Sequence, residues 1–98
     1  MRQHTIDTVL SSCTAAENFL KSDTGDDLDL QIAGYIEIFK KAAIGENVSE
    51  IALKKSVTEV FWLSSTDMLP VTSRFPGSYN ALQALKPAAN RFYDRVYN

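Results

Sequence analysis

Apolar residues recur along the first twenty positions at the three- and four-residue spacing of an amphipathic helix. The stripe consists of Ile6, Val9, Leu10, Cys13, Ala16 and Leu20. These positions share one side of a helix that turns by about 100° per residue. Thr5 is a suitable N-cap, and Gly25 follows soon after the end of the stripe. Cys13 lies in the middle of the apolar side, which is typical of a buried and unreactive thiol.

A second helix is predicted to begin near Asp26 or Asp27 and to run to about Ile44, where Gly45 can end it. Its apolar side consists of Leu28, Ile32, Tyr35, Ile36, Phe39, Ala42 and Ala43. This stripe is broad enough to face a protein core.

The stretch KSDTGDDLDLQ, residues 21–31, places four carboxylates around one glycine at the start of this second helix. Unpaired backbone N–H groups and the helix dipole favour carboxylates there. A calcium loop needs ligands at alternating positions and a bidentate glutamate at its twelfth position, but here Leu30 and Ile32 stand where ligands are required. The cluster is therefore interpreted as helix capping, and no metal site is predicted.

Residues 46–65, ENVSEIALKKSVTEVFWLSS, are compatible with a strand or a helix. The β-branched and aromatic residues within 57–63 favour a strand. A helical stripe also exists, made of Leu53, Val57, Val60, Phe61 and Ser64. Asn47 or Ser49 can cap such a helix, and a helix is the favoured prediction.

The last segment is predicted to be a continuous helix, kinked at Pro87, from about Ser78 to Tyr97. The apolar stripe Leu82, Leu85, Ala89, Phe92 and Val96 passes straight through the proline. Pro87 falls on the opposite side, where the missing hydrogen bond meets water. Ser78 is the expected N-cap, while Tyr79 and Tyr97 lie off the stripe as exposed aromatic residues or contacts at the rim of an interface.

Four helices with mostly short connections predict an all-α, single-domain antiparallel bundle that covers residues 1–98. The chain has 98 residues, 45% of them hydrophobic, which suffices for one core. The longest connection, residues 65–77, is either an ordered cover with a short helical turn or a binding element. Apolar runs are too short for a membrane span or a secretory signal, so a cytoplasmic protein is expected.

The formal net charge of −2 hides an uneven distribution along the chain. Residues 1–50 hold nine acidic and four basic residues, a charge of −5, whereas residues 51–98 hold three and six, a charge of +3. Such a dipole could steer a charged partner, or it could reflect helices with complementary faces. The negative sum argues against nucleic-acid binding, which usually requires a basic surface.

The residue types present give little support for a catalytic function. The chain has one histidine, His4, and one cysteine, Cys13. Neither a positioned base for nucleophilic catalysis nor a zinc ligand set can be assembled from them. Glu17 and Glu37 are the carboxylates closest to the helical core stripes, but no acid–base pair is indicated. We therefore predict no catalytic residues, no cofactor and no enzymatic activity.

A second apolar patch is predicted on the third helix, away from its core stripe. Ile51 and Trp62 are eleven residues apart, or three turns, with Lys55 between them. Trp62 is either covered by the following loop or serves as an aromatic anchor for a protein partner. Leu30 and Ile44, on the back of the second helix, could join the patch or form a homodimer contact. The predicted partner-binding residues are Trp62, Ile51, Lys55, Glu59, Leu30 and Ile44.

An alternative function is suggested by residues 41–51, KAAIGENVSEI, whose spacing resembles a helix-turn-helix motif with Gly45 in the turn. The following helix would carry Lys54 and Lys55 to a DNA groove. Lys41, however, stands where the motif usually has a small residue, and nearby glutamates would repel phosphates. A DNA-binding regulator is therefore the alternative to a protein-interaction module of the inhibitor, immunity, regulator or adaptor type.

Overall fold

The computed structural model describes residues 2–22 and 26–97, and all regular structure within them is helical. The helices are α1 (Gln3–Leu20), α2 (Asp27–Ala43), α3 (Glu50–Leu63), α4 (Leu69–Thr72) and α5 (Pro76–Tyr97). A short 3-10 turn, Thr66–Met68, precedes α4. The predicted all-α fold is confirmed, and residues 57–63 are helical rather than extended. Because α4 is a single turn, the bundle is formed by four long helices.

Helix α5 is the central element, because it packs against each of the other four helices. Arg95 near its end pairs with Glu50 at the start of α3, with 3.4 Å between Nη2 and Oε1, so α3 and α5 run in opposite directions. Asp29 and Ser78, near the starts of α2 and α5, are hydrogen-bonded, and Phe39 meets Phe92 farther along the same two helices. Helices α2 and α5 therefore run in the same direction, as alternate helices do in an up-and-down bundle.

The core is built from the apolar stripes that the sequence predicts. Its fully buried members include Val9, Cys13, Ala16, Ile32, Phe39, Leu53, Val57, Val60, Leu82, Leu85, Ala89 and Phe92. Phe39 and Phe92 are the largest of them, and their ring centroids lie 5.5 Å apart. An aromatic pair at this distance gains stability beyond the burial of its area. This pair links α2 to α5 in the interior.

The ends of α2 follow the predicted capping. The Asp26 carboxylate accepts a hydrogen bond of 3.0 Å from the backbone N–H of Asp29. At the other end Gly45 has φ of 84°, a left-handed conformation that glycine adopts without steric cost. Ser49 caps α3 in the same way as Asp26 caps α2, accepting from the N–H of Ala52. Residues 23–25, which include part of the acidic stretch and the glycine expected after α1, lie outside the described residues.

Two predicted N-caps are wrong. α1 begins at Gln3, three residues earlier than expected, so Thr5 lies inside its first turn. The earlier start is supported by a 2.9 Å hydrogen bond between the Gln3 and Asp7 side chains, one turn apart. α5 begins at Pro76, whose fixed φ suits a first helical residue. Ser78 is therefore inside the helix, where it is fully buried and donates a hydrogen bond to the Asp29 carboxylate.

The connection between α3 and α5 is an ordered cover, and it contains the expected helical turn. Thr72 of α4 is buried, and Met68 packs against the core. The outer side of the turn leaves Leu69 and Val71 exposed. This segment therefore packs against the core on one face and exposes apolar side chains on the other, and a role in binding stays a prediction.

Helix α5 passes through Pro87 without interruption, and Pro87 is exposed, as predicted. The kink stays a prediction.

We expect Pro87→Ala to raise the free energy of unfolding by about 1–3 kcal/mol, because alanine restores an N–H that can donate to the Gln83 carbonyl. Urea unfolding measures the change. Asn90→Ala, at an exposed position of the same helix, is the control and should change the free energy of unfolding less. A Pro87→Ala protein that is less stable than the wild type would contradict the assignment of Pro87 to an exposed position inside a continuous helix.

Candidate interaction surface

Trp62 lies on the outer side of α3, and 51% of its side chain is exposed. The inner side of the same helix is fully buried and consists of Leu53, Val57 and Val60. The loop that follows α3 therefore leaves half of the indole accessible. A tryptophan with this exposure offers a large rigid apolar area and one N–H donor to a partner.

Ile51 lies in line with Trp62 on the outer side of α3 and is 82% exposed. The two residues are separated by three turns, or about 16 Å along the helix axis. Lys55, which is also exposed, lies between them. Because Ile51 contributes little to the core, its side chain is available for contact with another molecule.

Two tyrosines of α5 extend this surface beyond α3. The ring centroids of Phe61 and Tyr93 are 6.0 Å apart, and those of Tyr93 and Tyr97 are 4.9 Å apart. The Tyr97 hydroxyl is hydrogen-bonded to Thr58, and the Lys54 ammonium lies 4.9 Å from the centroid of the Tyr97 ring. These contacts place the two tyrosines beside Lys54, Thr58 and Phe61 of α3. We define the aromatic surface by the following residues: Ile51, Lys54, Lys55, Thr58, Trp62, Tyr93 and Tyr97.

Tyr93 was missed by the sequence interpretation, and Tyr97 was recognised as an exposed aromatic residue without being joined to Trp62. The available signal is their four-residue spacing, which places both on one edge of α5. Both are partly exposed, at 46% for Tyr93 and 41% for Tyr97. Their approach to α3 depends on how the two helices pack, which the periodicity of either helix does not specify.

Glu59 lies at the border of the aromatic surface, on the side of α3 that faces α2. It is partly buried and close enough to Tyr35 of α2 to affect that hydroxyl. Burial raises the pKa of Tyr35, the hydrogen bond from Gln31 lowers it, and the negative charge of Glu59 raises it further. The role of Glu59 in partner binding stays a prediction.

Leu30 and Ile44 are exposed by 68% and 58% on α2 and its C-terminal cap. They lie fourteen residues apart, about 21 Å along the helix. The Glu37–Lys41 ion pair, at 3.1 Å, occupies the outer side of α2 between them. The contacts that join α3 to the two tyrosines of α5 do not include Leu30 or Ile44. Their role in partner binding stays a prediction.

The charges of the aromatic surface are unevenly balanced. Glu50 is paired with Arg95 of α5, whereas the Lys54 ammonium rests on the Tyr97 ring. Within residues 2–22 and 26–97, Lys54 and Lys55 have no carboxylate within ion-pair distance. Two cations without counter-charges therefore lie beside exposed aromatic and aliphatic side chains.

Cys13 lies in the α1–α2 contact and is fully buried. Its sulfur is 3.8 Å from the carbonyl oxygen of Ile36. Burial raises the pKa of the thiol to about 12, an effect opposed by Lys40 and reinforced by Glu17. Because the thiolate is the nucleophilic form, this cysteine is unreactive in the folded protein.

A thiol-specific reagent tests this assignment directly. We expect Cys13 to react at least roughly a hundredfold more slowly in the folded protein than in denaturant, because labelling requires opening of the α1–α2 contact. The measurement is the rate of disulfide exchange with an aromatic disulfide at pH 8. The unfolded chain is the internal control, and equal rates in the two states would contradict the burial of Cys13.

A shallow cavity of about 280 Å³ between α1 and α2 contains the two carboxylates that the sequence places near the core stripes. It is lined by Glu17, Ala33, Ile36, Glu37 and Lys40. Glu17 is ion-paired with Lys40, and this hydrogen bond raises the pKa of the lysine. Glu37 is paired with Lys41 instead. Each of the two carboxylates is thus paired with a different lysine.

The segment that resembles a helix-turn-helix motif turns at Gly45 and leads into α3 at Glu50. The outer side of α3 carries Lys54 and Lys55, but it also exposes Ile51 and Trp62. A helix that reads DNA presents polar side chains to base edges. DNA binding stays a prediction, and the apolar residues on this helix weigh against it.

In the described part of the chain, no three metal-ligating side chains converge, and no helix is long and apolar enough to cross a membrane. Comparison of the chain with protein-family models, curated proteins and solved structures found no match. Function must therefore be inferred from the surface itself.

Proposed function

We propose that this protein is a small, non-enzymatic interaction module that binds a protein partner through the aromatic surface. The observation that carries the proposal is the half-exposed indole of Trp62, aligned with the nearly fully exposed Ile51. Interface hot spots are enriched in tryptophan, tyrosine and charged groups that flank an apolar centre. Trp62, Tyr97 and Lys55 supply these groups on one side of the bundle.

Two further observations support binding rather than catalysis. The one cysteine of the chain is buried with a raised pKa, and Glu17 and Glu37 are each paired with a different lysine. Neither arrangement supplies an activated nucleophile or a general base. A cytoplasmic location belongs to the same proposal, because a single buried thiol does not require an oxidising compartment.

The experiment is affinity capture of partners with the immobilised wild type and Trp62→Ala in parallel, with identification by mass spectrometry. Val71→Ala is the matched control, since Val71 is 47% exposed but lies on α4, outside the aromatic surface. We expect a protein retained by the wild type and by Val71→Ala but lost by Trp62→Ala. Circular dichroism of each variant verifies that it is folded.

Other outcomes are equally informative. Retention by Trp62→Ala of every protein that the wild type holds would contradict the proposed surface. A salt-sensitive affinity for duplex DNA, abolished by reversing the charges of Lys54 and Lys55, would establish the helix-turn-helix alternative instead. Concentration-dependent dimerisation that is lost in Leu30→Ala or Ile44→Ala would assign those two residues to a homodimer contact.

A further inference from the structure

The aromatic surface carries positive charge that the protein itself leaves uncompensated. Lys54 and Lys55 project from the outer side of α3, where both side chains are exposed. Among the described residues neither lysine forms an ion pair: Glu50 pairs with Arg95, and Glu59, one turn from Lys55, is partly buried. The charged members of the aromatic surface are both basic, whereas the whole chain has a net charge of −2.

The two lysines and the exposed apolar residues of α3 lie at neighbouring positions of the same helix. Lys55 lies between Ile51 and Trp62 on α3, one turn from Ile51 and two turns from Trp62. The Lys54 ammonium is 4.9 Å from the Tyr97 ring centroid, a cation–π distance that holds it beside the aromatic cluster. A partner that covers Trp62 and Tyr97 must therefore accommodate both ammonium groups. Burial of these cations without opposite charges would disfavour the complex.

We infer that the partner contacts this surface with an acidic polypeptide segment that carries apolar side chains, most simply an amphipathic helix. The inference rests on the proposed function and specifies its partner. Apolar side chains of the segment cover Ile51, Trp62 and Tyr97, while its carboxylates pair with Lys54 and Lys55. An amphipathic helix presents anchors at spacings of three, four and seven residues, and anchors eleven residues apart span the same distance of about 16 Å as Ile51 and Trp62.

Single-stranded nucleic acid also combines negative charge with stacking surfaces, and it fits this surface less well. Such binding requires a groove of cations that follows the phosphate backbone. Here the two adjacent lysines lie on one helix, and the exposed aliphatic side chain of Ile51 has no stacking role. An acidic peptide satisfies both the lysines and the aliphatic group.

The test uses two labelled peptides of about eighteen residues, with leucines at anchor spacing and either glutamate or lysine at all other positions. Fluorescence anisotropy measures their affinity for the wild type, for Trp62→Ala and for the double variant Lys54→Glu with Lys55→Glu. The control is Lys21→Glu with Arg74→Glu, which makes the same change of net charge, from −2 to −6, at two exposed positions outside the surface.

We expect the acidic peptide to bind the wild type, and the basic peptide to bind at least about tenfold more weakly, because like charges then face each other. Reversal of the charges of Lys54 and Lys55 should lower the affinity for the acidic peptide by about tenfold or more and raise the affinity for the basic peptide. The control variant should change both affinities far less. Trp62→Ala should also lower the affinity for the acidic peptide.

Three results would overturn the inference: equal affinity for the two peptides, equal loss in the control variant, or tighter binding of a labelled single-stranded oligonucleotide than of the acidic peptide. Failure of the proposed function is distinguishable from these results. If the binding of captured proteins requires Trp62 but not the two lysines, the surface is a protein interface, and only the inferred acidic character of the partner is wrong.

Discussion

Replacing Phe92 with alanine is expected to lower the free energy of unfolding by about 3–5 kcal/mol. Phe92 is fully buried, and its ring meets Phe39 at 5.5 Å, where α5 packs against α2. Alanine removes the apolar contacts of the ring and leaves a cavity that the surrounding helices fill incompletely. Because small domains are stable by about 5–15 kcal/mol, this single change consumes a large part of the total.

Tyr93→Ala is the matched control for Phe92→Ala, since it removes an aromatic ring from the next position of the same helix. The Tyr93 side chain is 46% exposed, and we expect its loss to cost no more than about 1 kcal/mol. Chemical unfolding followed by circular dichroism gives both values. A similar loss for the two variants would show that α5 does not bury Phe92 in a shared core.

Replacing Trp62 with alanine is expected to weaken binding of the protein partner by at least about 2 kcal/mol, or roughly thirtyfold in Kd. The stability of the fold should change by less than about 1 kcal/mol, because the side chain is half exposed and alanine favours the helix. This separation of binding from stability distinguishes an interface residue from a core residue. Titration calorimetry with the captured partner measures the affinity.

The same titration with Val71→Ala supplies the comparison, because this variant also removes an exposed apolar side chain. Its affinity should match that of the wild type. If Trp62→Ala unfolds the domain, or if both variants bind as tightly as the wild type, Trp62 is not an anchor of the interface.

The sequence was sufficient to predict the four long helices and their buried sides, because each helix buries one stripe. A stripe such as Leu82, Leu85 and Phe92 is continuous through Pro87 only if the segment is helical. Local chemistry also located the Asp26 cap and the Gly45 terminus correctly. These features depend on residues within a few positions of each other, where periodicity and capping rules apply.

The wrong N-cap of α5 depends on a contact between distant parts of the chain. Ser78 has the chemistry of an N-cap, yet it is buried against Asp29, forty-nine residues away in sequence. The Ser78 hydroxyl forms a hydrogen bond that joins α5 to α2, and the helix begins two residues earlier, at Pro76. A single sequence gives no indication of which of the two roles a serine takes.

The candidate surface also combines features that follow from local sequence with features that follow from helix packing. The outward positions of Ile51 and Trp62 follow from the phase of α3, and both are exposed. That Tyr97 contacts Thr58 and Lys54 follows from the packing of α5 against α3. Helical phase identifies the exposed side of one helix, whereas the neighbouring helix is set by the assembled core.

Collisional quenching of Trp62 by acrylamide tests the central claim most directly, because Trp62 is the only tryptophan of the chain. In the isolated folded protein we predict efficient quenching, at least roughly half as strong as in the unfolded chain, since 51% of the side chain is exposed. Addition of the captured partner should protect the indole and shift its emission to the blue. A shielded indole in the isolated protein, or one that stays equally accessible in the complex, would contradict the account.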